Sequence, residues 1–516
     1  MLVNEFLEQS ADKYPDKIAL ICQDKRLSYL EIENFSNRLS NALIEGGLLK
    51  QERTAVFLEP SIEAVISVFA ILKAGGVFLV INPQVKAKKV AYILNDCQVK
   101  ILITDVNHLK EVSEILPSCP NLHSIILTDY ESLQDQDTTN NSIKFGSYSE
   151  ILEHYPSDRL PKRCIDIDLA SLIYTSGSTG NPKGVMCTHF NMAAAASSII
   201  EYLENTPEDI IIDILPLSFD YGLYQVLMAF KFGGTIVLER SFLYPFKIID
   251  LIIKEKVTGF PIVPTIAAVL FKLKNLKKYD FSNLRYITNT AQALPPKFIE
   301  QLRKIFPASR IYSMYGLTEC KRVSYLPPDE IDRRPTSVGK AMPNTEVYIV
   351  DDYGNKITEP GMIGELVVRG ANVMRGYWNL PDETAKYYRP GPIPGENVLY
   401  TGDLFRMDED GFLYFISRID DVIKVAGERV SPKEIENVLH EIQGVNEAAV
   451  VAVADEILGQ AVKAFVSLKK GSSLKEDDII RYCSKHMENY MVPKYVEFRD
   501  ELPKSSHGKI AKKGLK

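Results

Sequence analysis

The sequence predicts an α/β protein, with a large N-terminal domain over residues 1–418 and a small α+β domain over residues 419–516. Strand and helix patterns alternate in two separate stretches, which is typical of parallel sheets with helical crossovers. Strand patterns dominate from about 346 to 416, and the character of the chain changes after that point. A chain of 516 residues is also too long for one hydrophobic core.

The first alternating stretch occupies the beginning of the chain. Apolar residues recur there at helical spacing in some segments and form short continuous runs in others, and glycines mark a helix end. A polar stretch over residues 131–147 predicts an exposed loop. The predicted elements are helix 4–14, a hairpin of strands 17–22 and 26–29, helix 30–45, strand 55–58, helix 61–74, strand 77–81, helix 87–95 and strand 100–104.

The second alternating stretch predicts a second βαβ subdomain, and the β-rich unit at 346–416 is expected to close the large domain. In the small domain, Ser431-Pro432-Lys433-Glu434 has the pattern of a capping box with proline at the first helical position. The predicted elements are strand 210–215, helix 221–231, strand 235–238, helix 246–255, strand 259–263 and helix 265–274, and later helix 432–441, strands 448–453 and 462–468, helix 474–487 and strand 495–498.

Composition excludes several classes of function. The net charge of −7 gives no basic field, so nucleic acid is not expected as a partner. Seven scattered cysteines form neither a disulfide framework nor a CxxC metal pattern, which indicates a reducing compartment. The N-terminus does not resemble a signal peptide, and no apolar run reaches the ~18 residues that a membrane span needs. A cytoplasmic protein without a membrane partner is expected.

A loop rich in glycine and hydroxyl residues, Tyr174 to Gly184, follows the apolar strand 169–173 and precedes an alanine-rich helix. Glycines let the backbone approach an anion, while amides, hydroxyls and a lysine supply hydrogen bonds and charge. We therefore interpret this strand-to-helix loop as a polyphosphate cradle; the alternative is a flexible surface linker. The spacing differs from the G-x-x-x-x-G-K-[ST] phosphate loop. The candidate ligands are Thr175, Ser176, Gly177, Ser178, Thr179, Gly180 and Lys183.

This loop resembles the signature of the adenylate-forming superfamily, which contains acyl-CoA synthetases, luciferases and the adenylation domains of peptide synthetases. At least six motifs occur in the superfamily's order between residues 4 and 515. The resemblance implies ATP as a substrate, Mg²⁺ as a cofactor, and a small mobile C-terminal domain that rotates on a hinge at Asp420. The final lysine of a C-terminal motif, Lys509, is expected to enter the active site and bridge the acid and the α-phosphate.

The motif Tyr315-Gly316-Leu317-Thr318-Glu319 follows a strand at the end of the second series, where open sheets place ligand sites. At this position Tyr315 is expected to stack on adenine, Thr318 to bind the α-phosphate and Glu319 to hold Mg²⁺, a cation that favours carboxylate and phosphate oxygens. Gly316 is expected to be a further ATP or AMP contact. In isolation the motif also fits a turn with glutamate as a helix cap. The remaining nucleotide contacts that the resemblance implies are Asn289 and Ala291 for adenine, Asp403 for the ribose, and Arg418 and Lys424.

Two positions depart from the superfamily pattern. Ser417 stands where glycine is usual, and Asn289 to Ala293 replaces a glycine-containing adenine-binding turn. Because Ala291 adds only a methyl group, we expect an altered adenine contact rather than a lost one.

The acid pocket is predicted from the segment Ser218-Phe219-Asp220-Tyr221-Gly222. In amino-acid-activating members of the superfamily, an aspartate at this position pairs with the substrate ammonium, whereas the structural alternative is that Asp220 caps the following helix. The implied pocket residues are Phe219, Asp220, Tyr221, Tyr224, Pro261, Ile287, Met314, Arg322 and Val323.

A compact amino or imino acid, with proline the leading candidate, is therefore expected as the substrate. The expected acceptor is the phosphopantetheine thiol of a separate acyl or peptidyl carrier protein. The alternative is an AMP-forming acyl-CoA ligase that acts on a non-amino carboxylic acid.

Overall fold

The computed structural model describes residues 1–130, 143–175, 181–291, 294–425, 428–455, 459–504 and 510–515. The first half of the large domain alternates strands and helices, as predicted. In chain order its elements are α1 (Glu5–Lys13), β1 (Ile18–Cys22), β2 (Lys25–Ser28), α2 (Tyr29–Glu45), β3 (Arg53–Phe57), α3 (Ile62–Lys73), β4 (Val77–Val80), α4 (Ala87–Asp96), β5 (Ile101–Thr104), α5 (Val106–Val112), β6 (Ser124–Leu127), β7 (Lys144–Ser147), α6 (Tyr148–His154), β8 (Leu169–Thr175), β9 (Lys183–Thr188) and α7 (His189–Leu203).

Seven of these strands form one sheet in the order β7-β6-β5-β3-β4-β8-β9, parallel except for β9, which runs antiparallel to β8. The prediction of a loop over 131–147 is wrong for its last four residues, because β7 pairs along the edge strand β6, with Phe145 opposite Ile125. Pairing with β6 thus determines the structure of these residues, although their polar composition favours a loop. Residues 131–142 lie outside the described residues.

The second half of the large domain contains the second βαβ series and the β-rich unit. Both were expected from the sequence. The elements are β10 (Ile210–Asp213), α8 (Asp220–Phe232), β11 (Thr235–Leu238), α9 (Pro245–Lys254), β12 (Gly259–Ile262), α10 (Pro264–Leu270), β13 (Tyr286–Asn289), α11 (Pro296–Ile305), β14 (Arg310–Tyr315), β15 (Ser324–Tyr325), β16 (Lys340–Ala341), β17 (Thr345–Val350), β18 (Lys356–Ile357), β19 (Ile363–Gly370), α12 (Pro381–Tyr387), β20 (Tyr388–Pro390), β21 (Asn397–Met407) and β22 (Leu413–Arg418).

The second sheet has nine strands in the order β16-β15-β14-β13-β12-β10-β11-β1-β2. The N-terminal hairpin therefore completes the sheet of the second series, since β1 pairs in parallel with β11 and Leu20 lies opposite Ile236. A single hydrophobic cluster extends from Val3 to Leu413 and packs the two sheets together. Strands β17 to β22 form the separate six-stranded sheet of the β-rich unit.

The small domain is an α+β unit with its own hydrophobic core. The cap of its first helix is confirmed in part: Ser431 Oγ accepts a hydrogen bond from the Glu434 amide at 3.3 Å and donates one to the Ile416 carbonyl at 2.5 Å. The cap thus ties this domain to β22. The elements are β23 (Ile423–Val425), β24 (Glu428–Val430), α13 (Pro432–Glu441), β25 (Val445–Asp455), β26 (Gly459–Leu468), α14 (Glu476–His486) and β27 (Tyr495–Phe498).

Within the described ranges, no helix has both the length and the apolar composition required to traverse a membrane.

The N-terminus of α7 carries a fully buried histidine, His189. Its Nδ1 accepts a hydrogen bond from the Val3 amide at 3.0 Å. Burial lowers the pKa of His189 to about 4, so the ring is neutral in the folded protein at pH 7. Unfolding restores the ordinary pKa near 6.5. The unfolded state therefore binds more protons between these two values, and stability falls as the pH decreases through this window.

We expect this histidine to cost the folded protein about 2 kcal/mol between pH 7 and pH 5, a figure obtained from the pKa difference. Urea unfolding at both pH values should show that His189→Gln loses less free energy of unfolding between pH 7 and pH 5 than the wild type does. The exposed His154 provides the matched control, because His154→Gln should keep the wild-type loss. Equal pH dependence of wild type and His189→Gln would contradict the assignment.

Candidate active site

A cleft of about 1030 Å³ runs between the large domain and the small domain. Side chains from the ends of β8 and β14, from the start of α8 and from β21 and β22 line one wall, and α13 and the start of β25 line the other. Thirteen of the residues predicted from the sequence meet here: Thr175, Phe219, Asp220, Tyr221, Ala291, Met314, Tyr315, Gly316, Thr318, Glu319, Arg322, Asp403 and Arg418.

Other predicted residues are buried without lining the cleft, namely Lys183, Tyr224, Pro261, Ile287, Asn289 and Val323. Asp420 belongs to a single turn, Ile419–Asp421, and Lys424 lies on β23. Ser176, Gly177, Ser178, Thr179, Gly180 and Lys509 fall outside the described residues. The segment with Lys509 is flanked by Lys504 and Ile510, and both of these line the cleft.

The glycine-rich loop connects two strands of a hairpin. The prediction of a strand-to-helix loop is wrong, because β9 lies between the loop and α7 and pairs with β8, with Thr175 opposite Lys183. Val185 and Cys187 are fully buried, which explains why this stretch extends the sheet. The Lys183 Nζ lies 3.3 Å from Glu383 Oε1 and 5.3 Å from the Tyr377 ring centroid. These two contacts therefore hold the Lys183 amino group in place beside the cleft.

Glu319 is held by a tyrosine that the sequence did not reveal. The Tyr377 hydroxyl donates a hydrogen bond to Glu319 Oε1 at 2.7 Å, and the Met374 amide donates to the Glu319 carbonyl at 2.8 Å. Burial, together with the Glu319 charge, raises the pKa of Tyr377, so its hydroxyl remains a donor. Tyr377 lies 58 positions along the chain from Glu319, and no local spacing signals the contact.

The Glu319 carboxylate fits a magnesium ligand. Mg²⁺ in phosphoryl-transfer sites commonly takes one or two carboxylates and completes its shell with phosphate oxygens and water. A dedicated protein cage is not needed, which agrees with the described ranges containing no cluster of three or more acidic, histidine or cysteine ligands.

The ribose candidate Asp403 connects the two motifs on either side of it. Its Oδ2 accepts a hydrogen bond from the Tyr315 hydroxyl at 2.6 Å, and its Oδ1 accepts one from Arg418 Nε at 2.9 Å. The Tyr315 ring packs edge-on against Phe405, with the centroids 4.8 Å apart. Arg418 lies opposite Asp403 in the β21–β22 pairing, so the last strand of the large domain positions both groups.

The two departures from the superfamily pattern have different structural consequences. Ser417 lies opposite Leu404 in β22, where extended backbone accommodates any residue. Ala291 has φ 74°, in the left-handed region that favours glycine. The chain thus keeps a glycine-like backbone at the adenine turn although the residue is alanine. Gly316 is needed for packing, because a Cβ there would lie 2.4 Å from the Lys321 carbonyl oxygen.

Asp220 is paired with a lysine that the sequence analysis did not single out. Lys321 Nζ donates to the Asp220 carbonyl at 2.7 Å and lies 3.3 Å from Asp220 Oδ2. It also lies 4.3 Å from the Tyr224 ring centroid. Burial lowers the pKa of Lys321 to about 7, while the Asp220 charge opposes that shift. Asp220 is the first residue of α8, and within the residues that the structure describes no side chain caps this helix.

Comparison with known proteins places this arrangement in a family. The model for AMP-binding enzymes matches residues 7–378, and the model for the C-terminal domain of AMP-binding enzymes matches residues 434–509. The long-chain-fatty-acid–CoA ligase of Bacillus subtilis (strain 168) is 32% identical, over 99% of this chain and 94% of that protein. Tyrocidine synthase 1 of Brevibacillus parabrevis is 31% identical over 99% of this chain, which spans 44% of that protein.

Solved structures agree with the sequence comparisons. The anthranilate CoA ligase AuaEII in complex with anthranoyl-AMP superposes with a TM-score of 0.90 at 28% identity, covering 100% of this chain and 96% of the other. ATP-bound MatB from Rhodopseudomonas palustris gives 0.88 at 26% identity, covering 100% and 98%. The predicted superfamily and fold class are confirmed, whereas specificity for proline is not supported. The chain belongs to the AMP-binding enzyme family and is an ATP-dependent, AMP-forming acid–thiol ligase.

Proposed function

We propose that this ligase activates a compact carboxylic acid that carries no ammonium group, and that it transfers the acyl group to coenzyme A. One observation carries the proposal: the Asp220 carboxylate, which would have to receive a substrate ammonium, already has the Lys321 amino group 3.3 Å from its Oδ2. A substrate ammonium would have to displace a lysine whose side chain is only 1% exposed. The acyl-CoA ligases among the similar proteins support the same acceptor.

The proposed reaction has two halves. The acid's carboxylate attacks the α-phosphorus of ATP, and pyrophosphate leaves; the thiol of coenzyme A then attacks the acyl carbon, and AMP leaves. Mg²⁺ held by Glu319 would neutralise phosphate charge when it is bound. Thr318 at the cleft contacts the α-phosphate, Asp403 binds the ribose hydroxyls, and Lys509 stabilises the charge that develops during displacement.

The two half-reactions bring different groups to the same acyl-adenylate: pyrophosphate leaves in the first, and the coenzyme A thiol enters in the second. The small domain therefore rotates about Asp420 between the two half-reactions. This residue lies in the short turn between β22 and β23, at the kind of element end where hinges are found. Lys424 follows it on β23 and would approach the nucleotide in one of the two arrangements.

The acceptor is tested directly by product analysis. The enzyme is incubated with ATP, Mg²⁺ and a panel of carboxylic acids, with either coenzyme A or a phosphopantetheinylated carrier protein, and the thioesters are measured by mass spectrometry. We expect coenzyme A thioesters of acids without an amino group. A thioester formed only on the carrier protein, and only from an amino acid, would contradict the proposal and favour the peptide-synthetase-like function.

The role of Asp220 makes a separate prediction. Asp220→Asn should lower stability by about 1.5–3 kcal/mol, because Lys321 loses a charge-assisted hydrogen bond inside the protein. Thermal and urea unfolding measure the loss, and a double-mutant cycle with Lys321→Met measures the coupling. The double variant Asp220→Asn/Lys321→Met should lose less stability than the sum of the losses measured for the two single variants. An unchanged melting temperature with a raised KM for an amino acid would instead assign Asp220 to a substrate ammonium.

A further inference from the structure

A second buried cation in the acid pocket, Arg322, has no carboxylate paired with it in the described part of the chain. Arg322 lines the cleft with 1% of its surface exposed, and no residue described by the structure forms a hydrogen bond with its Nε. Among the residues that the structure describes, no carboxylate forms an ion pair with the Arg322 guanidinium. The group lies 5.1 Å from the ring centroid of Tyr221, a residue that also lines the cleft. Burying an unpaired charge costs desolvation free energy. An anion bound in the cleft beside Arg322 would offset that cost.

The neighbouring acids do not supply this anion. Asp220 is engaged by Lys321 through both its carbonyl and its carboxylate. Asp213, at the end of β10, is fully buried, and burial raises its pKa well above the ordinary value, which favours the neutral acid. In the described part of this wall, therefore, neither Asp220 nor Asp213 forms an ion pair with the Arg322 guanidinium. A pocket for a simple aliphatic chain has no need for such a charge.

We infer that Arg322 recognises a second carboxylate on the substrate, so that the enzyme activates compact dicarboxylic acids in preference to monocarboxylic acids of the same length. This inference rests on the proposed function and specifies its substrate class. The planar guanidinium matches carboxylate geometry with two parallel hydrogen bonds. The first carboxylate reacts with ATP, and the second remains ionised against Arg322.

The test compares acids of matched length in pyrophosphate exchange: butanoate with succinate, pentanoate with glutarate, and hexanoate with adipate. Wild-type enzyme should favour at least one dicarboxylate over its partner by 10-fold or more in kcat/KM, which is the size of one charge-assisted contact. Arg322→Met should abolish or reverse this preference, and Arg322→Lys should keep part of it. The same dicarboxylate should raise the melting temperature of wild type but not of Arg322→Met.

Lys272 provides the matched control. It is an exposed cation that lines the same cleft, so Lys272→Met removes an equal charge without changing the buried wall. The preference should survive in Lys272→Met. Equal effects of the two methionine variants would show that the overall field selects dianions, and would overturn the assignment of Arg322.

A wild-type enzyme that favours the monocarboxylic acids would also overturn the inference, and this result does not depend on whether Arg322→Met folds. Exchange is measured without an acceptor, so failure to use coenzyme A would contradict the proposed function and leave this result standing. If only amino acids exchanged, the same comparison would be made between glutamate and norvaline, and no preference for glutamate would overturn the inference.

Discussion

Lys509→Ala is expected to slow adenylation by a factor of ~10² or more, because it removes a preorganised charge from the site of displacement. Thioester formation from a supplied acyl-adenylate should be affected much less, since that step begins after the α-phosphate has reacted. The expectation rests on the C-terminal motif that ends in Lys509. It is supported by Lys504 and Ile510, which flank that segment and line the cleft.

Single-turnover measurements of the two half-reactions test this directly. Lys504 is the matched control: it lies in the same part of the chain and pairs with Glu447 at 2.7 Å in the small domain. Lys504→Ala should leave adenylation within a few-fold of wild type. Equal losses in both half-reactions of Lys509→Ala would show that this lysine supports the fold or the domain arrangement rather than the displacement.

Glu319→Gln is expected to lower kcat/KM for adenylation by about 10²-fold and to raise the Mg²⁺ concentration needed for half-maximal rate, because an amide is a weaker ligand for Mg²⁺ than a carboxylate. The amide retains the size of the side chain and can still accept a hydrogen bond from Tyr377, so the wall of the cleft should be preserved. The measurement is a Mg²⁺ titration of pyrophosphate exchange.

Tyr377→Phe distinguishes the role of Glu319 in binding Mg²⁺ from the role of Tyr377 in orienting the Glu319 carboxylate. Losing the hydroxyl that donates to Glu319 should cost about 10-fold, as is usual for groups that orient a metal ligand. High Mg²⁺ should restore most of the rate in Tyr377→Phe and little of it in Glu319→Gln. An unchanged Mg²⁺ dependence in Glu319→Gln would remove Glu319 from the metal site.

Local patterns in the sequence predicted most of the individual elements. The helix predicted at 432–441 has the same bounds as α13, and its start is fixed by proline at the first position and by the serine cap. The N-terminal hairpin was predicted as a unit, but its place in the second sheet was not. That place depends on parallel pairing between Leu20 and Ile236, and no local pattern encodes a contact over that separation.

The candidate site was predictable where motifs are contiguous. Tyr315, Thr318 and Glu319 meet Asp403 and Arg418 at one cleft, as the order of the motifs suggested. The partners that decide their chemistry were not predictable, since each lies on a distant segment.

Lys321 is the clearest example of such a partner. It lies two positions after the motif that ends at Glu319, yet only the fold brings its Nζ to Asp220, 101 positions earlier. A lysine after a turn otherwise suggests a solvated surface residue.

We propose that Lys321 occupies the position at which an amino-acid-activating enzyme would receive the substrate ammonium. Pyrophosphate exchange with wild-type enzyme tests it most directly, comparing pentanoate and glutarate with norvaline and proline under identical conditions. We expect exchange with one or more acids that lack an amino group, and at least 10-fold lower kcat/KM for either amino acid. Exchange with proline or norvaline, and none with acids lacking the amino group, would contradict it.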